Sequence, residues 1–425
     1  MHRIYGSFVN DPYEKPGIKL VGCGVPDAPV QFAHGMSGTP SPTTLNLIYI
    51  EIVLPARGQQ EKSMHYPDLL AEARPAKHFY VLLILNINEK YSIIFIKSLD
   101  IHVKYAYNYA YLYNEVVFMA KVFIDGSAGT TGLRIYERLG ERDDIELITL
   151  SDELRKDTQA RKEALNSADI AFLCLPDAAA IEAVSLIENS NTAVIDTSTA
   201  HRTADGWTYG FPELTGLREK IKNSKRIANP GCHASGFISL VAPLTQAGII
   251  SADARLSCFS LTGYSGGGKK MIAEYEVDER DALLEAPRMY GISQQHKHLP
   301  EMAKLCGLNS DPIFCPIVSS YYAGMEVTVP IFASDINGGI DEIRQAYKDY
   351  YKNGLVHFAD SADESGFLSA CAFEGRDDMQ ITVCGNNDRI LLVSRFDNLG
   401  KGASGAAIQN MNILLNAEET KGLNV

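Results

Sequence analysis

The chain has 425 residues, a net charge of −13, 46% hydrophobic residues and 21% charged ones, a globular balance too long for one compact core, so two domains are the default. The acidic excess argues against nucleic acid as a partner. The longest apolar run, residues 79–85, is too short to cross a bilayer and soon meets Glu89-Lys90, and no membrane association is expected.

Eight cysteines without a CxxC pair fit a reducing cytosol and give no support for a metal site. The N-terminus lacks the features of a secretory signal. Residues 1–118 hold ten basic and ten acidic side chains, so the excess charge lies in 119–425, with 29 basic against 42 acidic. This first stretch has Pro/Gly-rich patches such as 35–42 and an alternating tyrosine run over 105–113. That run reads either as a half-buried strand or as translated DNA upstream of the true start. An orderly pattern begins at Met119. The expectation is that Met119 is the working start, with 1–118 an extension that is non-native or poorly ordered.

Residues 121–125 read as a short apolar strand. Gly126, Ser127, Ala128, Gly129, Thr130, Thr131 and Gly132 follow it and open a helix over 133–139. A strand, a glycine-rich turn and a helix N-terminus together form a cradle for a dinucleotide pyrophosphate. The spacing is G-x-x-G-x-x-G rather than G-x-G-x-x-G. A second strand over 145–150 ends at Ser151-Asp152. The acid there fits a ribose hydroxyl of NAD, whereas Ser151 and nearby Arg155 fit a 2′-phosphate; spacing leaves both open. Further strands at 169–175 and 193–196, separated by a helix over 178–187, predict a parallel sheet. Cys174, within a strand, reads as core.

Asn229-Pro230-Gly231-Cys232 then sets a cysteine after a Pro-Gly bend and at the start of a helical run, 233–244. Free N–H groups and the positive helix end favour the nucleophilic thiolate; the alternative is a small buried turn residue. Beyond it, strands are expected at 255–261, 313–318, 324–331 and 389–393, with a covering helix over 340–347. They predict a mostly antiparallel sheet that offers a face for dimerisation. Gly266-Gly267-Gly268-Lys269 reads as a mobile loop. A last helix is expected over 403–411.

The ordered set of motifs resembles the N-acetyl-gamma-glutamyl-phosphate reductase family, in its shorter form, from Met119 to about the C-terminus. The set comprises 126–132, 196–202, 209–213, the Cys232 tetrad, 263–269, 296–301 and 397–403. The resemblance implies an α/β fold like that of aspartate-semialdehyde dehydrogenase: a Rossmann-type nucleotide domain over 119–232, an α+β catalytic and dimerisation domain over 233–395, and a C-terminal helix, 396–425, returning to the first. It implies NADP(H), an acyl phosphate substrate, release of inorganic phosphate, and a homodimer or homotetramer. Cys232 would attack the acyl carbon and expel phosphate, and the thioester would accept hydride from NADPH. His298 matches the general acid/base position, with His296 two residues earlier. His233 is a third candidate, although a helix would point it elsewhere. Arg202, Asn229 and Lys269 are candidates for the anionic substrate. Asn398 and Gly400 would border the nicotinamide, and Ser151 the adenosine end. Rival readings are a reductase of aspartyl or aminoadipyl phosphate and a non-catalytic NADP(H)-binding protein.

Overall fold

In the computed structural model the described residues are 119–425 and, before them, four strands. Two units are separate, divided between Val116 and Val117. In the first unit β1 (Lys19–Cys23), β2 (Asn46–Ile52), β3 (Phe79–Ile87) and β4 (Lys90–Ser98) form one sheet in that order. β1 with β2 and β3 with β4 are antiparallel; β2 and β3 are parallel. The apolar run 79–85 falls in β3, and the tyrosine run 105–113 lies outside the described residues. Among the described residues no helix is long and apolar enough to cross a membrane.

The second unit opens with a six-stranded parallel sheet. Its strands are β5 (Ala120–Asp125), β6 (Ile145–Ile148), β7 (Ile170–Leu173), β8 (Ala193–Asp196), β9 (Thr208–Tyr209) and β10 (Arg226–Ala228), in the order β6-β5-β7-β8-β10-β9. β7 and β8 are buried at every position, as strands covered on both faces must be. The helices here are α1 (Thr130–Gly140), α2 (Thr158–Ser167), α3 (Asp177–Ser185) and α4 (Leu217–Lys222). Ala164, Leu165, Ala180 and Ala183 from α2 and α3 fill one side of the sheet. The other side holds Ile135 and Leu139 of α1 and Ile221 of α4. The chain enters at β5, turns to β6, then crosses to β7. That reversal opens a crevice at the carboxyl ends of the strands, where doubly wound sheets bind ligands.

The second sheet has seven strands: β11 (Ser257–Gly263), β12 (Arg288–Met289), β13 (Ile313–Ser319), β14 (Met325–Phe332), β15 (Val356–Phe358), β16 (Met379–Gly385) and β17 (Arg389–Phe396), in the order β12-β13-β11-β14-β17-β16-β15. It is mostly antiparallel, as expected, with two parallel pairings. β11 pairs with β13, and β15 with β16, in parallel, and the other neighbours are antiparallel. Helix α5 (Cys232–Gln246) is buried along nearly its whole length against this sheet. Gly236 permits the approach: a Cβ there would strike Val327 and Phe396. The remaining helices are α6 (Gly268–Glu276), α7 (Leu299–Cys306), α8 (Ile340–Tyr350) and α9 (Gly405–Leu414). Tyr347 on α8 donates its hydroxyl to the Leu240 carbonyl, 2.5 Å away, and Tyr351 does the same to Ser239 at 2.8 Å. Both bonds lock α8 onto α5.

Among the described residues the opposite face of the sheet is only partly covered and mixes polar side chains such as Glu326 and Thr328 with exposed apolar ones. Phe259, Ile313, Phe332 and Leu391 are exposed there, alternating with buried neighbours that face α5. Helix α9 leaves this domain and packs Ala407, Ile408 and Met411 into the core beneath the parallel sheet. A buried ion pair fixes its approach. Lys401 lies 2.8 and 2.9 Å from the two oxygens of Glu213, and both side chains are about 1% exposed.

Candidate active site

The turn after β5 is shaped by contacts that exclude side chains. Gly126 has φ +88°, and a Cβ there would collide with the Cys174 carbonyl. A Cβ on Gly132 would meet the Gly126 carbonyl. The Gly129 N–H closes the turn on Gly126 at 3.0 Å. α1 then starts at Thr130 with no side-chain cap and no acid in its first turn. Its first N–H groups therefore face the crevice, with the positive end of the helix dipole behind them. The Thr130 hydroxyl is buried and has no hydrogen-bond partner among the described residues. An uncapped helix start, an orphaned hydroxyl and a backbone cradle together fit a pyrophosphate. Ser127 and Ala128 lie on the same turn. Ser151 is exposed beyond β6, next to an exposed Asp152–Arg155 ion pair of 3.3 Å.

Cys232 is the first residue of α5, after the bend at Gly231. The helix-end position is as expected, yet the thiol does not move toward thiolate. Burial pushes its pKa up, and the nearby Glu301 adds to the rise. Arg202, the His233 backbone N–H and Lys297 pull it down without reversing the direction. A resting thiol of this kind needs a base before it can attack.

Glu301, on α7, organises the space around the bend. It accepts from Arg202 Nη1 at 2.8 Å, from the Tyr209 hydroxyl at 2.7 Å and from the Gly231 N–H at 3.2 Å. His298 Nε2 lies 3.9 Å from the same carboxylate. A side chain on Gly231 would collide with Arg202, His298 and Glu301 together. Sequence reasoning places Glu301 in a motif but gives it no role. Its one signal is an acid three residues past His298, on the inward face of a short helix.

His298 is buried, and its Nδ1 has no partner among the described residues. Burial first, then the charges of Arg202 and its neighbours, holds it well below the usual imidazole range, so it is neutral at neutral pH. The segment carrying the histidines is a turn entering α7 rather than an extended strand. It nevertheless brings His296 and His298 to a ring separation of 4.7 Å. His296 Nδ1 accepts the His298 N–H at 3.2 Å. His233, expected to point elsewhere, joins them, with its ring 5.6 Å from His298 and 5.8 Å from His296.

The other expected residues spread around this centre. Arg202 also donates to the Asn229 and Thr197 carbonyls at 3.0 and 3.1 Å, which leaves two guanidinium N–H groups unassigned. The Asn229 amide donates to Ala403 at 3.0 Å and accepts from Asn410 at 3.3 Å, joining the tetrad to the chain before α9. Asn398 donates to Ser265 at 3.0 Å and accepts the Gly324 N–H at 2.9 Å. Gly400 begins a π-helical turn, Gly400–Ser404, which packs against α1. A Cβ on Gly402 in that turn would lie 3.0 Å from the Cys232 Cβ. Residues 264–269 form a 3-10 turn and the start of α6 instead of a free loop. Lys269 is exposed and has no hydrogen-bond or ion-pair partner among the described residues.

Comparison with known proteins places these elements in a family. A family described as the semialdehyde dehydrogenase NAD binding domain matches residues 121–224, and one described as the semialdehyde dehydrogenase dimerisation domain matches 232–398. N-acetyl-gamma-glutamyl-phosphate reductase 2 of Nostoc sp. is 46% identical over 318 residues, which are 71% of this chain and 99% of that protein. The N-acetyl-gamma-glutamyl-phosphate reductase of Brucella suis is 45% identical over 305 residues, 69% of this chain and 98% of its own. The chain belongs to the N-acetyl-gamma-glutamyl-phosphate reductase family. Its fold is shared more widely. Aspartate semialdehyde dehydrogenase II of Vibrio cholerae superposes with a TM-score of 0.55 at 17% identity, over 70% of this chain and 98% of that one. The Francisella tularensis aspartate semialdehyde dehydrogenase gives 0.53 at 17% identity, over 70% of this chain and all of its own. Of the two regions matched to the semialdehyde dehydrogenase domains, the first contains the nucleotide turn and the second contains Cys232, His296, His298 and Glu301.

Proposed function

We propose that this chain reduces N-acetyl-L-glutamyl 5-phosphate to N-acetyl-L-glutamate 5-semialdehyde and inorganic phosphate, with NADPH as the reductant, as a step of arginine biosynthesis in the cytosol. The observation that carries this reading is Cys232 at the start of a buried helix, directly after a Gly231 walled in by the neutral His298 and the Arg202–Glu301 pair, in a member of this reductase family.

His298 in its neutral form takes the Cys232 proton, and the sulfur attacks the acyl carbon. The C–O bond to phosphate breaks, leaving a thioester on Cys232. The two unassigned N–H groups of Arg202 and the charge of Lys297 hold the departing phosphate, with His296 and Lys269 on the approach. NADPH, when bound, supplies hydride to the acyl carbon. Gly126 to Gly132 hold its pyrophosphate on backbone N–H groups and the Thr130 hydroxyl, with Ser151 toward the adenosine end. The carbon–sulfur bond then breaks, the aldehyde leaves, and protonated His298 returns its proton to the Cys232 sulfur. Gly400, Gly402 and Asn398 keep the wall beside the sulfur narrow, and Asn229 ties that wall to the tetrad. The partly covered face of the seven-stranded sheet pairs two copies into a homodimer, with a homotetramer as a further step.

Phosphate-dependent NADP reduction with N-acetylglutamate semialdehyde tests the reading. Cys232→Ser lowers turnover by about 10³-fold or more, and mass spectrometry during wild-type turnover finds the acyl adduct on Cys232. Equal turnover in the two proteins, or preference for aspartate semialdehyde, overturns it.

A further inference from the structure

One buried polar chain near Cys232 has no part in the steps above. Ser260, on β11, is fully buried, and its Oγ lies 2.7 Å from His233 Nδ1. His233 Nε2 lies 2.6 Å from the Tyr290 hydroxyl. Tyr290 is anchored by its N–H to the Pro316 carbonyl at 3.0 Å. Phe314 packs edge-on against the His233 ring at 5.3 Å, holding the ring in its slot.

The direction of these bonds follows from counting protons. Burial drives the His233 pKa down to about 3, so the ring carries one proton at neutral pH. The Ser260 hydroxyl has no hydrogen-bond partner other than His233 among the described residues. A buried O–H without an acceptor costs roughly 1–3 kcal/mol. Ser260 therefore donates to Nδ1, and the ring proton sits on Nε2. Nε2–H donates to the Tyr290 oxygen, which leaves the Tyr290 O–H free to donate elsewhere. Burial, then the charge of Cys232, pushes the Tyr290 pKa up, so the phenol keeps that proton. The Tyr290 ring lies 5.9 Å from the His296 ring and 6.0 Å from that of His233, the residue next to Cys232.

We propose that Tyr290 donates a hydrogen bond to the acyl oxygen carried on Cys232, and that Ser260 and His233 are positioning residues that aim its proton there. This rests on the thioester reading above. The chemistry requires such a donor: the acyl oxygen gains negative charge when sulfur adds and again when hydride arrives. Preorganised donors at such a position are worth more than in water.

The test uses the purified full chain and the semialdehyde assay. Tyr290→Phe lowers kcat by about tenfold to a hundredfold with KM within about twofold. Ser260→Ala lowers kcat by about threefold to tenfold in the wild-type background and not at all in Tyr290→Phe. A Tyr290→Phe kcat within about twofold of wild type, or a Ser260→Ala loss that persists in Tyr290→Phe, overturns the assignment. If circular dichroism finds Tyr290→Phe unfolded, the same cycle is run with His233→Gln, in which the Ser260→Ala loss again disappears. All these comparisons are made between active variants, so the relay fails separately from the Cys232→Ser result.

Discussion

Three imidazoles share one corner of the molecule, and each is driven toward neutrality. Burial is the leading cause at all three, taking His233 to about 3, His296 to about 4 and His298 well below its ordinary value. In the unfolded chain these rings protonate as pH falls through about 6.5. The folded state then binds fewer protons than the unfolded one, so stability rises with pH across that window and is lost on acidification. The slope is at most about 1.4 kcal/mol per pH unit for each ring, and less for the part-exposed His296. Asp125 and Glu326, whose carboxyl pKa values are raised by burial, act with the opposite sign. The urea midpoint should fall between pH 7 and pH 5, and His296→Gln should lose less of it than wild type. An identical fall in both would remove His296 from this account, and a midpoint that does not fall in wild type would refute the sign. Cys232 and the glycine turn are legible in sequence because their chemistry is local: a helix start and a tight bend are written in adjacent residues. Glu301 and the Ser260–His233–Tyr290 chain are not, because their partners come from distant strands.

At the scale of elements, the strand–turn–helix unit is the clearest case of sequence dictating shape. β5 is a run of apolar residues, and the glycines after it permit a turn that no other residue fits. Gly126→Ala places a methyl in a left-handed conformation and against the Cys174 carbonyl. That strain, roughly 1–2 kcal/mol before the collision, should weaken NADPH binding by about tenfold or more in a fluorescence titration. Gly140, at the far end of the same helix, has open space where its Cβ would be, and Gly140→Ala should bind as wild type does. Equal affinity in all three proteins would contradict the assigned cradle. The elements that sequence reasoning missed were short or set by neighbours. β12 spans two residues and β15 three. β16 is a seven-residue strand with buried Met379, Ile381 and Val383 on one face, and it is paired on both sides, with β15 and with β17.

At the scale of the whole molecule, the two sheets have opposite needs. The parallel sheet is covered on both faces and is complete within one chain. The mixed sheet is covered on one face by α5 and leaves Phe259, Ile313 and Leu391 on the other. A face with exposed apolar side chains of this kind marks an association surface, and it lies within the region matched to the dimerisation family. Leu391→Asp, in the middle strands of that face, should shift sedimentation from the proposed homodimer toward monomer. A sedimentation coefficient unchanged from wild type would place the interface elsewhere.

The turn before α9 lies against Cys232 through Gly402, is tied to the tetrad through Ala403 and Asn229, and is pinned by Lys401 on Glu213. A ribosome must therefore translate past residue 402 before the sulfur acquires its last wall. Fragments released early would carry the cysteine without the enclosure that tunes it, so premature termination should yield inert polypeptide rather than a leaky, half-competent catalyst.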